Sequence, residues 1–472
     1  MRKKIVTGFF WKFGEQISSQ LVSFVLSIIL ARLLTPNDYG VVALVNVFII
    51  LANVFVTSGF GTSLIQKENS DELDFSTIFY LSELTSIFIY VVIFFVAPFI
   101  ADFYKNPEMT LILRVFALQL PISAFNSIQQ AYISKHIMFK KVFVSTTISA
   151  ILSGIIGIAM AYSGFGVWAL IGQYISNTII ISITLAMQIS WRPRLMFSWS
   201  AGKPLLSFGW KMLATSLLGE FFNQLRSLIL GKVYTASDLA YYNRGLRFPE
   251  LVSNNVNNTI SSVLFPVLSE YGNNLEKVKE GLRHAIRMST FILMPLLFGM
   301  MITSKEIILL LLTKKWISAV PFMQILCMSC VFDTVSNENI QALKAIGRSD
   351  ILLKLEILKK PIYLLLLLLG LRISVMAMAE TMVIYNILAV LINMSPNRKL
   401  LSYSFTEQIQ DMVPAFIASI AMSIIVSFVS KLDLSIGIAF LVKVILGVSS
   451  YVLIAVIFRI KAFKEIIVYR TK

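Results

Sequence analysis

The sequence predicts an all-α polytopic membrane protein of about fourteen transmembrane helices, set out as two pseudo-symmetric six-helix lobes followed by two further helices. Three observations predict it: a large apolar excess, a succession of apolar runs about twenty residues long, and a basic-residue bias that alternates between successive connections.

The apolar excess comes first. Of the 472 residues, 57% are hydrophobic and 14% charged. Soluble domains average roughly 45–50% apolar and about 25% charged. The surplus must face something other than water, and lipid is the natural solvent for it. The 41 Lys and Arg outnumber the 25 Asp and Glu, giving a formal charge of +16. No stretch is long and polar enough to form a soluble domain that docks on a nucleic acid. The basic balance therefore points to connections held in the cytoplasm beside anionic lipid.

The apolar runs give the spans. The first six cover Phe10–Leu34, Tyr39–Ile65, Ser76–Ile100, Met109–Ser134, Val142–Tyr162 and Gly166–Ser190. The next six cover Leu205–Gly231, Leu239–Pro266, Ala285–Thr303, Ala319–Leu343, Ile351–Leu371 and Ser374–Met394. Val413–Ser430 and Leu434–Arg459 complete the count. The opening MRKKIVTGFF has basic residues ahead of an apolar run, as a secretory signal does, but no small-x-small cleavage site follows. It reads as a retained first helix entered from the cytoplasm.

The charges test this count. With the N-terminus inside, inside connections and termini carry 24 Lys and Arg, and outside connections carry 8. A missed or invented span would scramble the alternation beyond it. An even count places both basic termini in the cytoplasm. The longest inside connection, Leu268–His284, is too short for a catalytic domain, and no phosphate-binding Gly-rich loop is present. The chain is not read as an enzyme; no catalytic residue, cofactor or metal site is assigned. Cys327 and Cys330 are spaced C-x-x-C, but with no second pair and only His136 and His284 elsewhere, they read as small apolar side chains in the helix PFMQILCMSCVF.

A weak internal repeat recurs at a separation of about 200 residues. Trp11-Lys12 matches Trp210-Lys211, Ala31-Arg32 corresponds to Gly231-Lys232, and Leu30, Thr35 and Asp38 match Leu230, Thr235 and Asp238. Six spans separate the copies, so the halves share one orientation about an axis along the membrane normal. Residues 1–203 and 204–400 form the two lobes, and 401–472 hold the two extra helices and a cytoplasmic tail. Two such lobes enclose a cavity that rocking motion opens to either side.

Polar groups inside spans mark that cavity, because hydrocarbon penalises them. Lys12, Gln16, Ser19, Ser23 and Ser27 follow one face of span 1, with Glu15 beside them. Span 7 embeds Lys211, Glu220, Asn223, Gln224 and Arg226. Span 8 carries Arg244, Arg247 and Glu250, then SNNVNNTISS with Asn254 and Asn258. Span 10 has Asp333, Asn337, Glu338 and Gln341; span 11 has Lys359 and Lys360; span 12 has Glu380, Asn386 and Asn393. Amides and hydroxyls suit sugar hydroxyls, while Lys and Arg suit phosphate. Substrate binding is accordingly assigned to Lys12, Glu15, Lys211, Glu220, Arg226, Arg244, Arg247, Asn254, Asn258, Asp333 and Glu338. Any one of these can instead bind helix to helix or snorkel to the interface.

Several stretches then carry a family resemblance: SSQLVSFVLSIILARLLTPNDYGVVAL, VFVTSGFGTSLIQ, GKVYTASDLAYYNRGLRFPELVSNNVNNTISSVLFPVLSEY, LLLLTKKWISAVPFMQILC and QALKAIGRSD. The LTPxDYG turn at Leu34–Gly40 and the YYNRG, FP and VLFPVLS run over Tyr241–Ser269 are the most specific. The chain resembles the polysaccharide transporter family, the Wzx-like oligosaccharide flippases of the multidrug/oligosaccharidyl-lipid/polysaccharide exporter superfamily, and most of all its colanic- and teichuronic-acid branch. Many relatives carry Asp ahead of LxIGK in span 7 where this chain has Arg226, so that acid's role does not carry over. The resemblance implies a bacterial cytoplasmic membrane and translocation of undecaprenyl-pyrophosphate-linked oligosaccharide, with membrane lipid, a coupling ion and polysaccharide polymerase machinery as partners; it leaves the energy source open. Two other readings stand beside it. An ion-coupled drug or cation exporter of the same superfamily should gather acids in one lobe, whereas here basic groups in the spans are at least as many. A membrane polysaccharide polymerase should have a large outer loop, which this chain lacks.

Overall fold

The computed structural model describes residues 2–67, 70–272 and 274–470, without the side chains of 2–10, 201, 208 and 466–470. The side chains of Arg2, Lys3, Lys4 and Arg470, and the whole of Lys472, counted above as inside charges, lie outside that description. Every regular element among the described residues is helical.

Eight helices precede the second copy of the repeat: α1 (Arg2–Leu33), α2 (Pro36–Thr57), α3 (Phe60–Gln66), α4 (Glu72–Phe103), α5 (Glu108–Phe116), α6 (Gln119–Lys135), α7 (Phe139–Tyr162) and α8 (Val167–Gln188). Next come α9 (Trp199–Val233), α10 (Ala236–Glu270), α11 (Leu275–Ile302), α12 (Ser304–Leu311), a 3-10 turn at Lys314–Ala319, and α13 (Val320–Ala345). The chain ends with α14 (Ser349–Leu371), α15 (Val375–Leu400), α16 (Phe405–Ser427), α17 (Ile436–Ile457) and α18 (Lys461–Arg470).

Each expected span is occupied, so the all-α reading with about fourteen crossings holds. Two spans are broken where the sequence predicts continuity. The second divides between α2 and α3 at Gly59, whose φ is +94°. The fourth divides between α5 and α6 around Ala117 and Leu118. Among the described residues, eleven helical stretches are long and apolar enough to cross a membrane by length and composition alone. The expected spans missing from that set are those on α9, α10 and α14, each of which carries several charges.

By contacts the chain divides into residues 1–240 and 241–472. The lobe boundary expected after Lys203 falls inside α9. In the first unit α1 packs on α7, α7 on α8, and α9 on α2, α3 and α4. Small residues allow the close approaches: Ser145, Ser149 and Ser153 form one buried stripe along α7, the small-residue spacing that brings membrane helices together. A Cβ on Gly59 would sit 2.4 Å from the Gly209 carbonyl oxygen, so α9 touches the break in span 2 backbone to backbone.

The repeat has a structural counterpart. Thr35 caps α2, and its hydroxyl and backbone N–H donate to Asp38 Oδ2 at 2.7 and 2.9 Å. Thr235 repeats this at the start of α10, with 2.7 and 3.1 Å to Asp238 Oδ2. Each is a capping box, satisfying N–H groups the first turn leaves unpaired.

In the second unit α11 packs on α13 and α16, α15 on α13 and α14, and α17 on α16. Amides tie α13 to α15 at three levels, about two helical turns and then one turn apart. Asn386 Nδ2 donates to Ser329 Oγ at 2.9 Å, Asn393 to Ser336 Oγ at 2.6 Å, and Asn397 to Asn339 Oδ1 at 2.7 Å. Asn386 and Asn393, read from sequence as cavity markers, are therefore buried cross-links between helices. Several ionic ties hold the last helices, among them Lys279 of α11 with Glu407 of α16 at 3.0 Å and His284 of α11 with Glu465 of α18 at 2.9 Å. Lys443 of α17 reaches Glu306 of α12 at 2.7 Å with both side chains buried or nearly so. Asp411 of α16 accepts from Arg283 and Arg287 of α11 and from the Tyr403 hydroxyl.

Candidate functional site

The site is best defined in the second unit, on α10. Asn, Ser and Thr are poor helix formers in water, yet SNNVNNTISS is helical throughout. A bilayer-spanning segment must satisfy its own backbone, which overrides propensity. The helix sorts these residues by face. Ser253 and Asn257 are buried, whereas Asn254, Asn255, Asn258, Thr259 and Ser262 are exposed. Arg247 is exposed too, seven residues before Asn254 and eleven before Asn258, two and three helical turns away. Arg247, Asn254 and Asn258 thus form one polar stripe on a helix of membrane-spanning length. Leaving amides and a guanidinium in hydrocarbon is costly, so this face needs water or a polar cargo.

Beside the stripe is a set of interacting charges. Glu250, one turn after Arg247, interacts with Arg247 and with Asp333 of α13. Asp333 interacts with Lys359 of α14. Lys359 is 6% exposed; its ammonium lies 2.6 Å from Glu356, and Lys360 lies 3.9 Å from the same carboxylate. Small side chains make this possible: a Cβ on Gly245 would come within 2.7 Å of Phe322 Cβ, so α10 lies directly against α13. Gln341 of α13 also donates to Ser261 of α10 at 3.2 Å.

The other residues assigned from sequence fall elsewhere. Arg244, three residues from Arg247, is buried with its guanidinium 5.1 Å from the Trp316 ring centroid, away from the exposed stripe. Glu338 is 2% exposed and lies beside Ser289 of α11. In the first unit Lys12 is exposed and bonds Glu15 at 2.6 Å on its own helix. Lys211 is exposed, Glu220 accepts from Gln224 at 2.7 Å, and Arg226 is buried. The structure therefore brings Arg247, Glu250, Asp333 and Lys359 within electrostatic reach of one another without a direct ion pair among these described residues, and lines Asn254 and Asn258 up with Arg247. Glu356 was missed, although its position three and four residues before Lys359 and Lys360 is a pairing signal. Among the described residues, no group of three or more His, Cys, Asp or Glu could hold a metal ion. Cys327 and Cys330 are buried thiols.

This arrangement offers what a phosphate-bearing sugar needs: cations for the phosphate, and amides and hydroxyls for the sugar. Similar proteins are known. A family model described as polysaccharide biosynthesis protein matches residues 29–321. The teichuronic acid biosynthesis protein TuaB of Bacillus subtilis is 23% identical over 355 residues, covering 74% of this chain and 73% of that protein. The lipopolysaccharide biosynthesis protein WzxC of Escherichia coli is 24% identical over 374 residues, covering 78% and 76%. The succinoglycan biosynthesis transport protein ExoT of Rhizobium meliloti is 22% identical over 350 residues, covering 74% and 71%. Among solved structures, the lipid II flippase MurJ in an inward closed conformation superposes with a TM-score of 0.77 at 14% identity, over 99% of this chain and 100% of that one. An inward-facing multidrug resistance MATE family transporter gives 0.63 at 16% identity, over 81% and 94%. At these identities the structural likenesses establish a shared fold.

Proposed function

We infer the function from one premise: the chain belongs to the polysaccharide biosynthesis protein family, whose model matches residues 29–321. We propose that it is a flippase moving lipid-linked oligosaccharide units, carried on undecaprenyl pyrophosphate, across the bacterial cytoplasmic membrane. The observation that carries this reading is the exposed Arg247–Asn254–Asn258 stripe on a helix of bilayer-spanning length, next to the Lys359 charge set.

The stripe performs two tasks. Its amides and hydroxyls exchange bonds with water for bonds to sugar hydroxyls at little net cost, so the cargo is held without being trapped. Arg247, Lys359 and Lys360 offset the diphosphate charge, which hydrocarbon would otherwise penalise heavily. Glu250, Asp333 and Glu356 hold those cations when no cargo is present, so an arriving diphosphate competes with carboxylates rather than meeting bare charge. The isoprenoid tail stays in lipid. Exposing the stripe first to one side of the membrane and then to the other moves the cargo with no covalent bond changed, and no catalytic role is assigned to any residue. Both termini are placed in the cytoplasm, and a coupling ion and a polysaccharide polymerase are the expected partners.

The test is reconstitution. Proteoliposomes with fluorescent undecaprenyl-pyrophosphate-linked oligosaccharide in the inner leaflet should show transfer to the outer leaflet, read by loss of signal to an impermeant quencher. Transfer no faster than in protein-free liposomes, under every imposed ion gradient and potential, overturns the proposal. The shared fold with multidrug transporters makes cation export the second reading. It predicts that organic cations accelerate dissipation of an imposed ion gradient, which the flippase reading does not.

A further inference from the structure

A cavity of about 620 Å³ opens where α11, α16, α17 and α18 meet, all within residues 241–472. Arg283, Arg287, Arg459 and Lys461 line it against one acid, Asp411. Each guanidinium has five N–H donors; Asp411 engages only some of those on Arg283 and Arg287, and Glu407 lies 3.6 Å from Arg283 as well. Arg459 and Lys461 are exposed and make no ion pair among the described residues. Below the cations the walls are apolar, formed by Ile417, Ala418, Ala421, Ile454 and Phe458. Ile417 and Phe458 are 60% and 74% exposed, so the cavity is open along its apolar side.

The α17–α18 corner is made by Arg459 at φ +49°, a left-handed conformation that glycine adopts without strain and other residues avoid. This corner sets Arg459 two residues from Lys461 on the cavity wall, in a backbone conformation it shares with Lys105, Ile137, Thr313 and Ser402.

We propose that this cavity is a binding site for an anionic diacyl glycerophospholipid, with its phosphate among Arg287, Arg459 and Lys461 and the start of its acyl chains against Ile417 and Phe458. The charge balance selects an anionic over a zwitterionic headgroup. The volume suits a headgroup with its first methylenes, and leaves no room for an oligosaccharide-bearing diphosphate. The site is separate from the α10 stripe and does not depend on the transport reading. Its occupant would tie α16, α17 and α18 to α11 at the membrane surface.

The full-length protein in phosphatidylcholine nanodiscs tests this. Titrating phosphatidylglycerol should raise the melting temperature saturably, and native mass spectrometry should show one retained phosphatidylglycerol. The double variant Arg459→Gly, Lys461→Ala should keep its melting temperature in pure phosphatidylcholine, because glycine suits that corner. It should weaken apparent phosphatidylglycerol affinity roughly thirtyfold, at about 1 kcal/mol for each cation near a membrane surface. Ala421→Leu, which narrows the apolar part and leaves the charge intact, should also weaken it. The control Arg398→Ala, Lys399→Ala removes the same charge elsewhere and should change nothing. Equal loss in that control means diffuse attraction and overturns the site. A matching shift with inorganic phosphate alone reduces it to an anion site. Saturable binding of undecaprenyl diphosphate, but not phosphatidylglycerol, that is lost in the double variant assigns the cavity to the cargo lipid instead.

Discussion

Replacing Asp411 by Ala should destabilise the second unit by about 3 kcal/mol, chiefly through the charges left behind. Asp411 is 9% exposed and accepts from Arg283 Nε at 2.8 Å, Arg287 Nε at 2.7 Å and the Tyr403 hydroxyl at 2.7 Å. Arg283 and Arg287 are four residues apart on α11, so their side chains begin about 6 Å apart. Without the carboxylate, two cations at that spacing repel by about 3 kcal/mol at an effective dielectric constant of about 20. Breaking a fully buried pair typically costs about 3–5 kcal/mol. Here the arginine side chains are 29% and 19% exposed, so water screens part of the repulsion and the low end applies. In a unit of this size that is a fall of about 6–12 °C in melting temperature, measurable by thermal denaturation in detergent micelles. Glu407→Gln is the contrast. It removes the Lys279 pair at 3.0 Å and the longer Arg283 contact at 3.6 Å, 32% exposed on the acid side, but keeps an acceptor for the α16 cap; it should cost less than about 1 kcal/mol. Replacing Arg283, Arg287 and Asp411 together by Met should recover most of the loss, because an ion cluster exchanged for apolar packing leaves no stranded charge. If Asp411→Ala and Glu407→Gln melt together, or the triple replacement melts no higher than Asp411→Ala, the reasoning is wrong.

Four further outcomes follow. Arg247→Glu should abolish flipping in the proteoliposome assay while Arg247→Lys retains part of it, because the lysine keeps the charge but loses the fork; equal activity of the two removes Arg247 from the site. Lys359→Met should lower the flipping rate at least tenfold with normal membrane insertion, by depriving Asp333 and Glu356 of their shared cation; a wild-type rate rejects that role. Gly59→Ala combines a positive φ with a 2.4 Å clash against Gly209 and should reduce folded yield sharply, whereas Gly219→Ala, which meets nothing within 4 Å, should not. A cysteine placed near the C-terminus should resist impermeant maleimide in intact cells; labelling there reverses the assigned topology.

The spans were legible because hydrocarbon imposes length and apolarity on every crossing, and a chain of 472 residues repeats that constraint many times. The break around Ala117 was not legible, since the apolar run continues through it; at Gly59 the Thr-Ser-Gly-Phe-Gly stretch is a local breaker signal that reading by apolar runs passes over. The contact of Gly59 with Gly209 emerges only in the fold. Embedded polar residues were visible at once, but sequence carries no record of which neighbour a helix face meets. Asn393 and Asn258 look alike in the chain; one closes a bond to Ser336 and the other is left exposed. Arg244 and Arg247 share a face by spacing, yet Trp316 takes the first and leaves the second open. The Thr35 and Thr235 caps show the opposite case, where a local four-residue pattern determines its own geometry.

The three amide links between α13 and α15 have a mechanical consequence. They extend from Asn386 to Asn397, eleven residues or about 16 Å of helix at 1.5 Å per residue. Sliding α15 by a single residue would break all three at once and leave the amides unsatisfied in a medium with no water to replace them. Shear between these helices is therefore blocked, and the pair behaves as one stiff beam. Gly370 of α14 fits against the α15 backbone near Ala377, extending the beam at one end. Any movement within the second unit must therefore carry α13 and α15 together.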